Sequence, residues 1–275
     1  MNLREPCLPP GWYPGDKAKI NEFLKPLAQK GTVPAAIAPH AGWHYSGLCA
    51  AKAVSSLDCE AETVAVIGGH LSRGMPVLVA GEDGVKTPLG TMTIDAELRQ
   101  VFQKKLDTSP DCYQDNTVEA LVPMVHYFLP QAKLLWLRFP AVLSSFKAGK
   151  LLAESAASLG RRIAVLASTD LTHYGDNYGY SPKGRGKAAL DWVKSVNDAG
   201  FISAVLEGDP SKALAHAEEH FSACSAGAVL GALGFASSNG VTQRRLLEYS
   251  NSADAEDKAG FFPDSFVGYA AMVFG

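Results

Sequence analysis

No apolar run in the 275 residues reaches the ~18 needed to span a bilayer. The opening stretch, MNLREPCLPPGW, has neither the apolar core nor the cleavage pattern of a secretory leader. There are only five cysteines, an odd number at irregular spacing and without a CxxC, which argues against a disulfide framework or a zinc finger. Net charge is only −3, so electrostatics offer no reason to expect a nucleic acid or a membrane surface as partner. Internal repeats, low-complexity linkers and clear domain boundaries are lacking, and one domain is the simpler organisation. GxSxG, HExxH and GxxxxGK[ST] do not occur, which removes the hydrolase elbow, the zincin helix and the P-loop. The expectation is a cytoplasmic protein.

What the chain does have is apolar substance, 47% of its residues, enough for a sizeable core. Ala35–Gly47, AAIAPHAGWHYSG, organises the reading. The apolar run Val33 to Ala38 suits a strand covered on both faces, and Pro39 stops it for want of an amide hydrogen. His40 follows at once. The same pattern recurs at Thr63–Ile67 before Gly68-Gly69-His70, and at Ile163–Ala167 before Ser168-Thr169-Asp170-Leu171-Thr172-His173. Leu134–Phe139 is a further strand ended by Pro140. Helical spacing fills the intervals, as at Asp16–Gln29, Leu48–Leu57 and Ser144–Leu159. Pro76–Ala80 and Val85–Pro88 read as a hairpin, Glu119–Leu129 as a helix despite Pro123, Ala223–Ala236 as a small-residue helix opened by Cys224, and Asn251–Gly260 as a mobile polar loop. Alternating strands and helices predict an α/β fold with a mainly parallel sheet and helices on both faces.

In such a sheet the strand ends share one edge, so His40, His70 and the Asp170/His173 pair can converge there. Cys224 at a helix start has amides that favour a thiolate. Two imidazoles and a thiolate can hold a transition metal and leave positions open for water, oxygen or substrate. Taken singly, each has a plainer explanation: a loop histidine is more often a hydrogen-bonded structural residue, and a cysteine in a tight helix a small buried hydrophobe. His216 and His220, four apart, fit a solvated helix face, Lys183–Lys187 an exposed turn, and His126 a satisfied core histidine. Cys49, Cys59 and Cys112 have no partner at ligand spacing.

Several blocks together resemble the Memo-like family, also called AmmeMemoRadiSam system protein B. They are Gly11-Trp12-Tyr13-Pro14, Ala38-Pro39-His40-Ala41-Gly42 with Tyr45 and Gly47, Lys86-Thr87-Pro88-Leu89-Gly90 with Ile94-Asp95, Val118-Glu119, Ser168-Thr169-Asp170 with His173, His220 four before Cys224, and Tyr269-Ala270-Ala271. The family is similar in fold to class III extradiol dioxygenases. The resemblance implies one α/β domain over residues 1–275 with its pocket at the strand ends. It implies metal binding by His40, His70 and Cys224, a cysteine standing where the dioxygenases have glutamate. It places His173 as general acid/base with Asp170 as its neighbour, and Trp12, Tyr45 and Glu119 around the pocket. The chain departs from the family in its short Gly68-Gly69-His70 turn, and in Asn116, Leu121 and Ser225.

These readings predict a metal-dependent redox enzyme, dioxygenase-like or an oxidase, acting on an unidentified small molecule. Fe(II) is the first expectation for the metal, with copper or zinc as alternatives. The competing expectation is a non-catalytic module binding a peptide or protein, with a radical-SAM protein as the partner that family association suggests. A zinc hydrolase is a weaker third, because no glutamate base adjoins a histidine.

Overall fold

Residues 1–254 and 263–275 are described in a computed structural model of the protein. In chain order the strands are β1 (Leu3–Arg4), β2 (Ala35–Ala38), β3 (Thr63–Gly68), β4 (Val77–Val79), β5 (Gly84–Thr87), β6 (Gly90–Thr93), β7 (Thr108–Pro110), β8 (Lys133–Arg138), β9 (Ile163–Ser168), β10 (His173–Gly175), β11 (Arg244–Asn251) and β12 (Ser265–Phe274). The helices are α1 (Lys17–Leu24), α2 (Trp43–Ser56), α3 (Ala96–Gln103), α4 (Asn116–Glu119), α5 (Val122–Phe128), α6 (Ser144–Ser158), α7 (Lys187–Trp192), α8 (Ala199–Glu207), α9 (Pro210–His220) and α10 (Ala226–Ser238).

Nine strands build one mixed sheet in the order β10-β12-β2-β9-β3-β8-β4-β7, with β11 also paired to β12. Its centre, β2, β9, β3 and β8, is parallel, as the buried apolar runs predict. Antiparallel pairs flank that centre, β12 on β2 at one side and β4 on β8 at the other. The register aligns the ends: Ala38 lies opposite Ser168, Ile67 opposite Ala167, and Gly68 opposite Arg138. The segments leaving β2, β9, β3 and β8 therefore emerge side by side.

Both faces of this centre are covered. Ala35, Ile37, Val165 and Ala167 pack with Leu152 and Leu230 of α6 and α10, while Ala36, Ala38, Ala164 and Leu166 pack with Val54 and Met124 of α2 and α5. Period-two alternation with both sides apolar is what makes these segments continuous hydrophobic runs.

α6 and α10 cross closely enough that a Cβ on Gly149 would lie 1.9 Å from the Gly231 carbonyl oxygen, and one on Gly234 1.9 Å from that of Phe146. α10 thus sits deep against the sheet, and the turn ahead of it reaches the strand ends. That turn carries Cys224. The helix begins at Ala226, three residues later than the Ala223 expected from sequence, so Cys224 lies outside its first turn.

Two further expectations change. β4 and β5 are not a hairpin: the fully buried Val77–Val79 joins the large sheet, while β5 turns through Pro88-Leu89 into β6 and pairs with β1. The expected helix at Glu119–Leu129 is shorter, Val122–Phe128, because Pro123, unable to donate within a helix, falls in the first turn of α5, while Glu119 closes the separate α4. Of the loop expected at Asn251–Gly260, residues 255–260 lie outside the described residues.

A buried carboxylate, Asp198, ends a π-helical turn (Val193–Asp198). Asp198 accepts hydrogen bonds from Thr172 N–H at 3.0 Å, from the Thr172 hydroxyl, and from the Tyr249 hydroxyl at 2.7 Å. Burial raises its carboxyl to about 6, against the hydrogen bonds that lower it. The unfolded chain therefore ionises first, and stability falls as pH rises from about 4 to about 6, by up to ~3 kcal/mol. Asp198→Asn removes this dependence. Urea unfolding at successive pH values should show the variant gaining on the wild type across that window only, whereas parallel curves would contradict it. Gly149→Ala should lower the urea midpoint by an equivalent of about 1–3 kcal/mol through overpacking at the α6–α10 crossing, and an unchanged midpoint would contradict that close approach.

Candidate metal centre and its cavity

Three ligating side chains meet where the sheet register brings the strand ends together. His40, just beyond β2, is buried, and its Nε2 stands 3.3 Å from the Cys224 sulfur. His70, just beyond β3, sets its ring perpendicular to that of His40 with centroids 5.1 Å apart. One ligand atom from each of His40, His70 and Cys224 lies within 4.8 Å of the other two, the one such His/Cys/Asp/Glu cluster among the described residues.

Each ring is fixed through its other nitrogen. His40 Nδ1 meets the Ser168 hydroxyl at 2.8 Å, and His70 Nδ1 meets Asp115 Oδ2 at 3.1 Å. Such partners set the tautomer and aim Nε2 at a shared point. The Gly68-Gly69-His70 turn delivers the second ring by a strained route: His70 has φ +56°. A left-handed non-glycine residue costs ~1–2 kcal/mol and persists only where its surroundings impose it. Here Arg138, at the end of β8, donates from Nε to the Gly69 carbonyl at 2.9 Å and pairs with Asp115 at 3.2 Å. Both glycines are sterically required, since a Cβ on Gly68 would lie 2.2 Å from Thr117 Oγ1 and one on Gly69 2.4 Å from Ser225 Cβ.

The charges are mutually arranged. Burial pushes the Cys224 thiol up, but His40 beside it and hydrogen bonds from His40 and His70 override this and hold it well below the ordinary thiol range. Asp170 N–H also points at the sulfur at 3.3 Å. The thiolate is thus favoured by two imidazoles and a backbone amide rather than by the helix start expected from sequence. Burial works against a charged His70, yet Asp115 and Cys224 raise it to about 10. Asp115, opposed by burial, is brought down to about 2 by His70, Thr117 and Arg138.

Asp170 belongs to His40. Its Oδ1 accepts the His40 backbone N–H at 2.7 Å and its Oδ2 lies 3.9 Å from His40 Nε2. His173 instead places Nδ1 3.1 Å from the Leu171 carbonyl, which can only accept, so Nδ1 carries the proton and Nε2 is left as an acceptor. Among the described residues no hydrogen bond joins Asp170 to His173, and the orienting role expected of Asp170 passes to that carbonyl.

Beside the centre opens a cavity of about 610 Å³. Trp12, Tyr45, His173 and Tyr178 form its walls, with Asp170 and Tyr269 also lining it. Glu119 is not among its lining residues. Its carboxylate accepts from the N–H groups of Cys7 (2.9 and 3.1 Å) and Leu8 (3.0 Å), the Tyr13 hydroxyl (2.9 Å) and the Cys7 thiol (2.8 Å). Burial and Glu119 push that thiol up to about 11. Glu119 therefore anchors the N-terminal arm, which brings Trp12 to the cavity, where its carbonyl accepts Trp43 N–H at 2.8 Å.

Other candidates fall away. His216 gives Nδ1 to the Ser222 hydroxyl at 2.8 Å and packs Nε2 against Gly200, so it has no nitrogen free for a metal. His126 Nδ1 meets the Thr87 hydroxyl at 2.7 Å. Ser168, Asp115 and Arg138 were missed from sequence. Of these only Arg138 left a signal: a guanidinium inside the buried run Leu134–Phe139 must have an acidic partner.

The Memo-like protein family profile matches residues 4–273, and the chain belongs to that family. It is 29% identical to a MEMO1 family protein of Pyrococcus abyssi over 98% of this chain and 99% of the relative. It is 28% identical to a MEMO1 family protein of Methanosarcina mazei over 99% of both chains. A solved structure of an uncharacterized protein of Escherichia coli K12 superposes with a TM-score of 0.45 at 11% identity, covering 88% of this chain and 99% of that one, a likeness too slight to add to the topology above.

Two imidazoles and one thiolate form a donor set suited to iron, copper or zinc, and three protein ligands leave room for further ones. Asp115→Asn and Arg138→Met should each weaken metal binding about 10–100-fold by releasing His70, while the fold persists. A competition titration against a chromophoric chelator reads this, and wild-type affinity in both would contradict the clamp on His70.

Proposed function

We propose that the protein is a metal-dependent oxidoreductase of the dioxygenase or oxidase kind, with Fe(II) held by His40, His70 and Cys224 and a small organic substrate in the adjoining cavity. The observation that carries this is the convergence of two oriented imidazoles and a thiolate beside a walled cavity that also holds a histidine with an acceptor nitrogen. Iron at such a site supplies open coordination positions and electrons for reaction with O₂. The residues of the chain do the rest. His173 Nε2 accepts a proton from a substrate hydroxyl and returns it as charge develops on oxygen. Trp12 and Tyr45 flank the ligand and limit its contact with water. The thiolate donates more charge than a carboxylate would, so the reaction need not be the catechol cleavage of the glutamate enzymes. Copper suits the same donors, and zinc would leave a non-redox site.

The second reading keeps the cavity and drops turnover, making the protein a peptide- or protein-binding module with a radical-SAM protein as a candidate partner. It is favoured by the open rim, where Tyr45 is 48% and Tyr178 46% exposed.

Anaerobic purification from iron-supplemented cells, followed by metal analysis and an oxygen electrode, separates the two. The oxidoreductase reading expects near-stoichiometric iron, lost in His40→Ala, His70→Ala and Cys224→Ser. It also expects phenol-dependent oxygen uptake that falls about 10²–10⁴-fold in an iron-replete His173→Ala variant. Full metal content in all three ligand variants would overturn the centre. Absence of uptake across a broad phenol panel, with saturable peptide binding that survives His173→Ala, would support the module.

A further inference from the structure

One buried acid takes no part in the chemistry above. Asp198 and its neighbour Asn197 close the π-helical turn, a helix irregularity frequent at functional sites, and both are buried. Neither lines the cavity. They grip Thr172, the residue before His173. The Thr172 N–H and hydroxyl both donate to Asp198 Oδ1, and the Asn197 amide donates to the same hydroxyl at 2.9 Å. From the other side Gly268 donates its N–H to the Thr172 carbonyl at 3.1 Å. All three polar groups of Thr172 are thus engaged.

The backbone makes room for this grip. Asp198 reaches Thr172 across Gly268, where a Cβ would lie 2.0 Å from Asp198 Oδ2. That second oxygen takes the Tyr249 hydroxyl at 2.7 Å. Three neutral donors aimed at two oxygens call for a side chain that only accepts, which an ionised carboxylate alone provides. Burying a charge among neutral partners is costly, and for packing alone an apolar side chain at position 172 would spare the chain two of these contacts. The benefit lies one residue further on. The Leu171 carbonyl meets His173 Nδ1 at 3.1 Å, closing a ring across Thr172, so the Thr172 backbone sets where that carbonyl points.

From this geometry we infer that Asp198 and Asn197 are positioning residues for His173. By fixing Thr172 they hold the Leu171 carbonyl against Nδ1, which keeps the proton there and leaves Nε2 as the acceptor. The inference rests on the reading of His173 as the proton-transfer group, and it extends that reading to residues outside the cavity.

The test reads the tautomer directly. In metal-free full-length protein carrying isotope-labelled histidine, at a pH above the ordinary imidazole range, NMR distinguishes Nδ1–H from Nε2–H. The signal lost in His173→Gln identifies the ring. The wild type should hold His173 as Nδ1–H. Thr172→Val, which keeps the shape and removes the hydroxyl, should raise the Nε2–H share about fivefold. Thr172→Ala, which also lacks the hydroxyl, repeats the reading if the first variant does not fold. Thr172→Ser keeps the hydroxyl and should give the wild-type spectrum. Chelator competition should return wild-type metal affinity in all of them, since His40, His70 and Cys224 keep their own partners. An Nε2–H form in the wild type, or an unchanged tautomer in the variants lacking the hydroxyl, would overturn the inference. So would a shift in Thr172→Ser as large as in Thr172→Val, or a parallel loss of metal affinity, because either would mean general loosening. The spectra need neither metal nor turnover, so absence of oxygen uptake would count against the enzymatic reading and leave this result standing.

Discussion

Everything at the centre depends on register. Because Ala38 sits opposite Ser168 and Ile67 opposite Ala167, the chain leaves β2, β9 and β3 at one level of the sheet. His40, Asp170 and His70 are the second residues beyond Ala38, Ser168 and Gly68, and they arrive together although 130 residues of chain separate the first two. A slip of one residue in any of these pairings would exchange the side chains packed on α6 and α10 with those packed on α2 and α5, and two close-packed faces penalise that strongly. The hydrophobic register that stabilises the sheet is thus the same constraint that assembles the ligands. The sulfur comes from the turn ahead of α10, held by the glycine-mediated seating of α10 on α6 and by the Cys224 N–H donated to the Asp170 carbonyl at 3.2 Å.

The second constraint is charge neutrality in a space with little water. Buried ionic groups are tolerated when each is paired and hydrogen-bonded. Arg138 is shared among the Gly69 carbonyl, Asp111 and Asp115, and Asp115 among Arg138, Thr117 and His70. The strain at His70 is held in place by that network. On the other side of the sulfur, Asp170 both donates its N–H to Cys224 and accepts the N–H of His40. A metal dication beside one thiolate and one carboxylate leaves the group close to neutral.

Much of this was legible in the sequence. Apolar runs broken by proline or paired glycines mark β2, β3 and β8, and one broken by a Ser-Thr-Asp turn marks β9, all to within a residue or two, because strands buried on both faces leave little freedom in composition. The converging histidines follow from the same pattern. The antiparallel flanks were not legible, since β4 and β12 are as apolar as the parallel centre and periodicity carries no strand direction. Small neighbours suggest a helix start at Cys224, but Ser225 stands in a turn (φ −137°, ψ 49°) and the helix starts after it. Asp170 was assigned to His173, its neighbour in sequence, whereas space gives it to His40, a pairing that only the β2–β9 register reveals. Glu119 was placed at the pocket, yet its four donors come from the arm, whose docking no local pattern announces.

The chemistry proposed for the protein turns on whether sulfur is bonded to the metal. Thiolate ligation sets the redox behaviour apart from that of a carboxylate site, and it requires the turn before α10 to stay where the packing puts it. X-ray absorption spectroscopy at the iron edge of the anaerobically loaded protein tests this most directly. One sulfur and two imidazole nitrogens in the innermost shell, with the sulfur lost in Cys224→Ser, is the predicted result. A shell of nitrogen and oxygen alone in the wild type would contradict it.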